Sequence, residues 1–208
     1  ASVTKVMTMI LVFEALEVGT LRLDQIVRIS ETAASMGGSQ IFLAAGEEMS
    51  VDDLLKGLIV SSANDAAVAL ALYCGGTVEG FAELMNDKAH MLGLDDTHFV
   101  NPHGLDAPDH YSTARDVAIM SCELMKHEKV KEYTTIWMDE LRDGKFQLAN
   151  TNKLIRQYNG CDAGKTGYTA EAMHCLAATA IRNDMRLISV IVGGPDSKTR
   201  FNENKILF

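Results

Sequence analysis

A serine and a lysine stand three residues apart at the start of the chain, in the run ASVTKVMTMILVFEAL. On a helix, this spacing places the side chains of Ser2 and Lys5 on one face. A serine hydroxyl becomes a nucleophile when a base takes its proton, and a neutral lysine amine of depressed pKa can be that base. The first turn of a helix also presents unpaired N–H groups to a developing oxyanion. Alone, the pattern is weak, because about one such pair arises by chance in a chain of this length.

Two further motifs carry residue types suited to the same chemistry. Ser62 and Asn64 lie in SSANDAAVALAL, where they either cap a helix or supply a second hydroxyl for proton relay and an amide that holds the lysine or a substrate carbonyl. Lys165 and Thr166 can bind a carboxylate, and Gly167 on an edge strand lets a ligand backbone lie close. The upstream glycine spacing of a phosphate-binding loop is absent.

Helices and strands must hold these motifs in place. Residues 4–17 predict a helix that is apolar on nearly all sides, which is typical of the centre of a domain, and Gly19 ends it. After about residue 140 the runs KFQLANTNKL, AMHCLAATAIRND and MRLISVIVGG are strand-like, and the last two are joined by a turn at Asn183-Asp184. The final run SKTRFNENKILF has helical periodicity.

The middle of the chain is mainly helical. Ser50 with Asp53 begins one helix as a capping box, a second helix begins around residues 62–65, and Thr113 with Asp116 begins another. The run LRLDQIVRIS predicts a short strand, and SQIFLAAGEEMS predicts a hairpin that turns within its AG pair. A further helix is expected to bury one apolar face made of four residues: Phe81, Leu84, Met85 and Ala89.

This order of elements predicts an α+β fold, with an antiparallel sheet flanked by helices and an all-helical subdomain. We expect one catalytic domain over residues 1–208. Its sheet-containing part is expected at about 1–20 and 141–208, and its mainly helical part at about 21–140.

Composition and charge exclude several classes of protein. The chain has 208 residues, of which 47% are hydrophobic and 23% charged, as in a globular protein with a sizeable core. Its net charge of -9 and scattered Lys and Arg argue against a nucleic-acid partner or an anionic-membrane surface. The first apolar run, Val6 to Phe13, is far shorter than the roughly 20 residues that span a bilayer, and no signal peptide is visible.

The cysteines and histidines are the residues that could bind a metal, and the cysteine spacing does not indicate a metal site. No two of the four cysteines have CxxC spacing, and Cys74, Cys122 and Cys175 are predicted to be buried thiols because their neighbours are apolar. His103 and His110 share one loop with two aspartates, and at this point both a metal site and plain loop structure stay open.

The motifs SxxK, SxN and KTG, in this order, are typical of penicillin-binding proteins and class A β-lactamases. The runs SANDAAVALA, MNDKAHMLGLDDTHFVNPHGL, HYSTARDVAIM and GKTGYTAEAMHCLAATAIRNDMRLISVIVGG also resemble low-molecular-mass penicillin-binding proteins. In particular they resemble the serine-type D-alanyl-D-alanine carboxypeptidases of sporulating Gram-positive bacteria, over essentially the whole chain from Ala1 to about Leu207.

The resemblance implies roles for individual residues. The implied catalytic residues are Ser2, Lys5, Ser62, Asn64 and Lys165. The implied substrate-binding residues are Thr166, Gly167, Tyr168 and Arg200. Ser2 would be the acylated nucleophile and Lys5 its base, while the backbone N–H groups of Ser2 and Tyr168 would form the oxyanion hole. Arg200 would help Thr166 hold the terminal carboxylate; the alternative for Arg200 is a surface salt bridge.

The implied substrate is a peptidoglycan stem peptide ending in D-Ala-D-Ala, and β-lactams are the implied inhibitors. The resemblance implies no cofactor and no metal, so we interpret the segment with His103 and His110 as loop structure. It implies that the full-length protein lies at the outer face of the cytoplasmic membrane and is membrane-associated. Members of this family carry strands and a signal peptide before the nucleophile and usually continue past the final helix. We therefore expect the 208 residues to be a fragment truncated at both ends, with the first strands of the sheet missing.

Two other functions stay open at this point. A class A β-lactamase needs a glutamate that activates the deacylating water, but the corresponding run LGLDDTHFVNPHG has no glutamate. Position 63 is also Ala rather than the Asp of an SDN motif. The second alternative is an inactive penicillin-binding fragment, against which the three intact motifs argue.

Overall fold

The computed structural model describes residues 1–208, and a buried helix lies at the centre of the fold. A 3₁₀ turn at Ser2–Thr4 leads into α1 (Lys5–Glu17), whose residues from Lys5 to Ile10 are all buried. Such a helix is stabilised by contacts on every side rather than on one face. Gly19, at a φ of 78°, follows its last turn, as predicted.

The main sheet has three antiparallel strands in the order β5 (Cys161–Thr169), β6 (Met173–Arg182) and β7 (Met185–Gly194). The strand with the KTG motif is therefore at an edge. Asn183 and Asp184 both have positive φ, which is the conformation of the tight turn predicted between β6 and β7.

Helices cover both faces of this sheet. Because successive side chains of a strand point to opposite faces, Cys175 and Ala177 join the large core around α1. Leu176 and Ala178 instead pack against Phe201 of α9 (Ser197–Leu207) in a smaller cluster. The predicted α+β class, an antiparallel sheet flanked by helices, is confirmed.

In the sequence, the remaining elements come after α1 and before β5. The helices are α2 (Glu31–Ala34), α3 (Val51–Val60), α4 (Asn64–Gly75), α5 (Val78–Met91), α6 (Ala114–Leu124), α7 (Val130–Thr134) and α8 (Leu154–Gln157). Ser50 caps α3 and Thr113 caps α6 through bonds from the N–H groups of Asp53 and Asp116, as predicted. No single helix is long and apolar enough to cross a membrane, although the bent pair of α4 and α5 passes that test by length and composition.

This middle part is not all-helical, because it also contains two small antiparallel pairs of strands. One joins β1 (Ile26–Arg28) to β2 (Glu48–Ser50), and the other joins β3 (Met138–Leu141) to β4 (Phe146–Ala149). Each strand has only three or four residues, too few to give a strong alternating pattern in the sequence.

The hairpin predicted in SQIFLAAGEEMS is wrong. Its second half is β2, but β2 pairs with β1. The N–H groups of Ile41 and Leu43 instead donate to the buried carboxylate of Asp65. The segment has the alternating burial of a strand, with Phe42 exposed between buried Ile41 and Leu43. Its backbone, however, is hydrogen-bonded to the Asp65 side chain rather than to another strand.

Two burial predictions also need correction. Leu84 is 41% exposed, while Phe81, Met85 and Ala89 are buried, because the buried residues follow a single row at spacings of four along α5. All four cysteines are free thiols, but Cys122 is exposed and Cys74 is only partly buried.

Candidate active site

The 3₁₀ turn and the first residue of α1 bring Ser2 and Lys5 together. Lys5 Nζ lies 3.0 Å from Ser2 Oγ, and the lysine is completely buried. Two other oxygens complete its surroundings: Asn64 Oδ1 at 2.6 Å and the carbonyl oxygen of His103 at 2.8 Å. The predicted contact between hydroxyl and amine is therefore present, and a third segment of the chain takes part in it.

The environment of Lys5 favours its neutral form. Burial lowers the pKa of Lys5 well below its usual value, and the charge of Lys165 lowers it further, while Asp65 acts in the opposite direction. A neutral amine at this position can accept the proton of Ser2.

The geometry also decides where the lone pair of neutral Lys5 points. The Asn64 amide is oriented by its own Nδ2, which donates to the carbonyl of Gly37 at 2.7 Å, so Oδ1 faces the lysine. Asn64 Oδ1 and the His103 carbonyl can only accept hydrogen bonds. The two N–H bonds of the neutral amine are thus used by these acceptors, and the lone pair is left for the Ser2 hydroxyl.

A second lysine and serine are in direct contact beside this pair. Lys165 on β5 donates to Ser62 Oγ at 2.8 Å and to the carbonyl of Thr166 at 2.9 Å. Burial, followed by the charge of Arg200, lowers the pKa of Lys165 to about 7. Ser62 has a φ of 63°, a conformation that a non-glycine residue adopts only when its surroundings hold it there. This pair can exchange a proton near neutral pH.

The edge strand β5 lies directly against the 3₁₀ turn. A Cβ atom at Gly167 would be 2.9 Å from the backbone nitrogen of Ser2, which is closer than real Cβ contacts allow, and 3.1 Å from that of Val3, which is tighter than most of them. Gly167 is therefore required for this approach. The approach places the backbone of Ser2 against that of Gly167. Tyr168 follows Gly167 on β5, and its side chain is 60% exposed and packs on His174.

Thr166 lies on β5 and Arg200 lies on α9, and their side chains do not hydrogen-bond to each other. Thr166 Oγ1 donates to Thr151 Oγ1 at 2.8 Å. The guanidinium of Arg200 donates to the carbonyls of Gly167, at 2.8 Å, and Cys175, at 3.2 Å. No carboxylate pairs with Arg200, so the surface salt bridge considered for it is absent. Arg200 supports the strand backbone behind Gly167.

Sequence reasoning missed Thr151 and the His103 carbonyl. Thr151 lies in NTNKL, which we interpreted only as strand-like, and a backbone carbonyl carries no signal in residue type. The histidines of the same loop have protein partners. His110 Nε2 bonds to Thr4 Oγ1 at 2.7 Å, and His103 Nδ1 accepts from the N–H of Leu105. Burial lowers the pKa of His103 to about 3 and that of His110 to about 4.

A family profile described as D-alanyl-D-alanine carboxypeptidase matches residues 1–196 of this chain. The chain belongs to this family. D-alanyl-D-alanine carboxypeptidase DacF of Bacillus subtilis is 51% identical over 203 residues, which cover 96% of this chain and 52% of the relative. This chain spans about half the length of the curated relatives that it matches.

Solved structures of the family have the same fold. Penicillin binding protein 5 of Haemophilus influenzae superposes with a TM-score of 0.94 at 38% identity, covering 100% of this chain and 61% of that protein. Penicillin-binding protein D2 of Listeria monocytogenes, solved in a cefotaxime-bound form, gives 0.89 at 32% identity, covering 100% of this chain and 84% of that protein.

Proposed function

We propose that this chain carries the active site of a serine DD-peptidase, which removes the terminal D-Ala from D-Ala-D-Ala stem peptides of peptidoglycan through an acyl-enzyme on Ser2. The observation that carries the proposal is the buried Lys5 amine 3.0 Å from Ser2 Oγ. Membership of the D-alanyl-D-alanine carboxypeptidase family supports the same reaction. We also propose that residues 1–208 act as one catalytic domain, with a sheet-containing part at about 1–20 and 141–208 and a mainly helical part at about 21–140.

In the acylation step, Lys5 takes the proton of Ser2 while Ser2 Oγ attacks the carbonyl carbon of the penultimate D-Ala. The backbone N–H groups of Ser2 and Tyr168 stabilise the oxyanion, and Asn64 holds Lys5 and the substrate amide. The C–N bond then breaks, and a proton reaches the leaving nitrogen through the Lys165 and Ser62 pair, whose Nζ···Oγ distance is 2.8 Å. Water then attacks the ester and gives a proton to the Lys165 and Ser62 pair, while Lys5 returns its proton to Ser2 Oγ as the ester C–O bond breaks. This step releases the carboxylic acid and restores Ser2, Lys5 and the second pair.

The terminal carboxylate of the substrate is the ligand expected for the KTG strand. Thr166 of β5 offers a hydroxyl, and the cationic Arg200 of α9 donates to the carbonyl of the neighbouring Gly167. We propose that β-lactams acylate Ser2 as substrate mimics. We further propose that the protein acts at the outer face of the cytoplasmic membrane, where its peptidoglycan substrate lies, and that the full-length protein is membrane-associated.

Covalent labelling with a fluorescent penicillin tests the nucleophile. We expect the wild type to carry the label through denaturing electrophoresis and Ser2→Ala to carry none, because the ester requires the Ser2 oxygen. Ser112→Ala, at an exposed serine, is the matched control and should label as the wild type does. Release of D-Ala from an acylated D-Ala-D-Ala peptide should be lost in Ser2→Ala as well.

Equal labelling of Ser2→Ala and the wild type would overturn the assignment of the nucleophile. Turnover of nitrocefin at many cycles per second would instead indicate a β-lactamase. No glutamate hydrogen-bonds to Ser2, Lys5, Ser62 or Lys165, which supports slow release of a β-lactam.

A further inference from the structure

The carbonyl of His103 belongs to an irregular turn, so something other than a helix or a strand must aim it at Lys5. Residues 101–105 form this turn and have no regular secondary structure. From α1, Thr8 Oγ1 donates to the carbonyl of Pro102 at 2.6 Å. This bond ties the turn to the helix that carries Lys5, but it does not fix the next peptide group.

The side chain of Asn101 holds the rest of the turn. Its Oδ1 accepts from the N–H of Gly104 at 2.7 Å and from that of His103 at 3.3 Å. Its Nδ2 donates to the carbonyl of Leu105 at 3.0 Å. Asn101 is only 8% exposed, and one buried amide therefore joins three consecutive residues of the turn.

The direction of the His103 carbonyl matters because of the lone pair of Lys5. Without this acceptor, only Asn64 Oδ1 would oblige the neutral amine to donate. Its second N–H could then turn toward Ser2 Oγ, and the lone pair would no longer face the hydroxyl proton. A displacement of about 1 Å at such a site can reduce a rate by about 100-fold.

We propose that Asn101 is a positioning residue for acylation, because it fixes the turn that directs the His103 carbonyl onto Lys5 Nζ. The inference rests on the proposed function for its kinetic consequence. Asn101 touches neither the nucleophile nor its base and acts only through the backbone.

The chain offers a matched control in Asn86 of α5. Its Nδ2 donates to the carbonyl of Phe99 and its Oδ1 accepts from the N–H of Phe99, both at 2.8 Å. Asn86 thus secures the same loop two residues before Asn101, with the same chemistry, but it does not touch the turn at 101–105.

The experiment measures acylation by a fluorescent penicillin across pH for the wild type, Asn101→Ala and Asn86→Ala, normalised to folded protein. We expect Asn101→Ala to acylate about 10- to 100-fold more slowly at its plateau. The acid limb of its pH–rate profile should move to lower pH, because the lost contact with the His103 carbonyl stabilised the protonated amine of Lys5. Asn86→Ala should keep the plateau rate within about twofold of the wild type, and its acid limb should stay at the wild-type pH. Equal plateau rates in all three proteins, or equal losses in both variants, would overturn the inference.

A second readout separates this inference from the proposed function. The ¹³Cε signal of Lys5 reports its titration by NMR without any substrate, and we expect its midpoint to fall in Asn101→Ala but not in Asn86→Ala. An unchanged Lys5 midpoint in Asn101→Ala would overturn the positioning role even if the wild type is acylated. A folded wild type that forms no adduct would overturn the proposed function, and the Lys5 titration would still decide the role of Asn101.

Discussion

Acid should destabilise this chain through His103, a histidine that the fold keeps neutral. Burial lowers the pKa of His103 to about 3, and the neighbouring charges of Lys5 and His110 act in the same direction. Its Nδ1 already accepts the N–H of Leu105, so protonation would also break a hydrogen bond within the turn. The unfolded chain has no such constraint, and its histidine titrates near 6.5.

The size and sign of the effect follow from these two pKa values. The folded pKa is below the unfolded one, so the contribution to stability is fully present above 6.5 and is lost as the pH falls toward about 3. Between pH 6.5 and 5 the unfolded histidine takes up its proton while folded His103 does not. Each pH unit in this window corresponds to about 1.4 kcal/mol, so the free energy of unfolding should fall by about 2 kcal/mol from pH 7 to pH 5 through His103 alone.

Urea unfolding at pH 7 and pH 5 measures this loss, and substitution isolates the residue. His103→Asn places an amide oxygen near the position of Nδ1, which preserves an acceptor for the Leu105 N–H without a titrating ring. We expect the variant to lose about 2 kcal/mol less than the wild type between the two pH values. His90→Asn, at an exposed position of α5, should lose as much as the wild type does. The reasoning is refuted if His103→Asn and the wild type lose the same free energy.

Two further predictions compare matched positions in stability measurements. Gly104→Ala should reduce the free energy of unfolding by more than about 2 kcal/mol, because φ is 86° and a Cβ would overlap the carbonyl oxygen of Ala1. Gly93→Ala, with a φ of 68° and open space for its Cβ, should cost only about 1 kcal/mol, and equal costs would contradict the steric argument. Leu58→Ala in α3 should reduce the free energy of unfolding by about 2–5 kcal/mol, because Leu58 is fully buried. Leu84→Ala, on the exposed side of α5, should change it by no more than about 0.5 kcal/mol. A similar shift of the unfolding midpoint in both variants would contradict this burial argument.

Local patterns were sufficient for most of the elements. The apolar run after Lys5 has no polar face to expose, which predicted a buried helix whatever its neighbours. The caps at Ser50 and Thr113 and the turn at Asn183-Asp184 depend on residues close in sequence, and each was predicted correctly. The hairpin prediction for the segment around Ile41 failed because the hydrogen-bond partner of Ile41 is Asp65, 24 residues away. No local sequence pattern indicates so distant a partner.

The sequence by itself determined the residue types and the order of the three motifs, and with them the family and the candidate nucleophile and base. Side-chain chemistry is a local property, so Ser2 and Lys5 can be recognised wherever they lie. Only the tertiary structure decided the surroundings of Lys5, with Asn64 from one segment and the His103 carbonyl from another. Burial among such distant segments removes water from the amine and lowers its pKa, and this depends on how the whole chain packs.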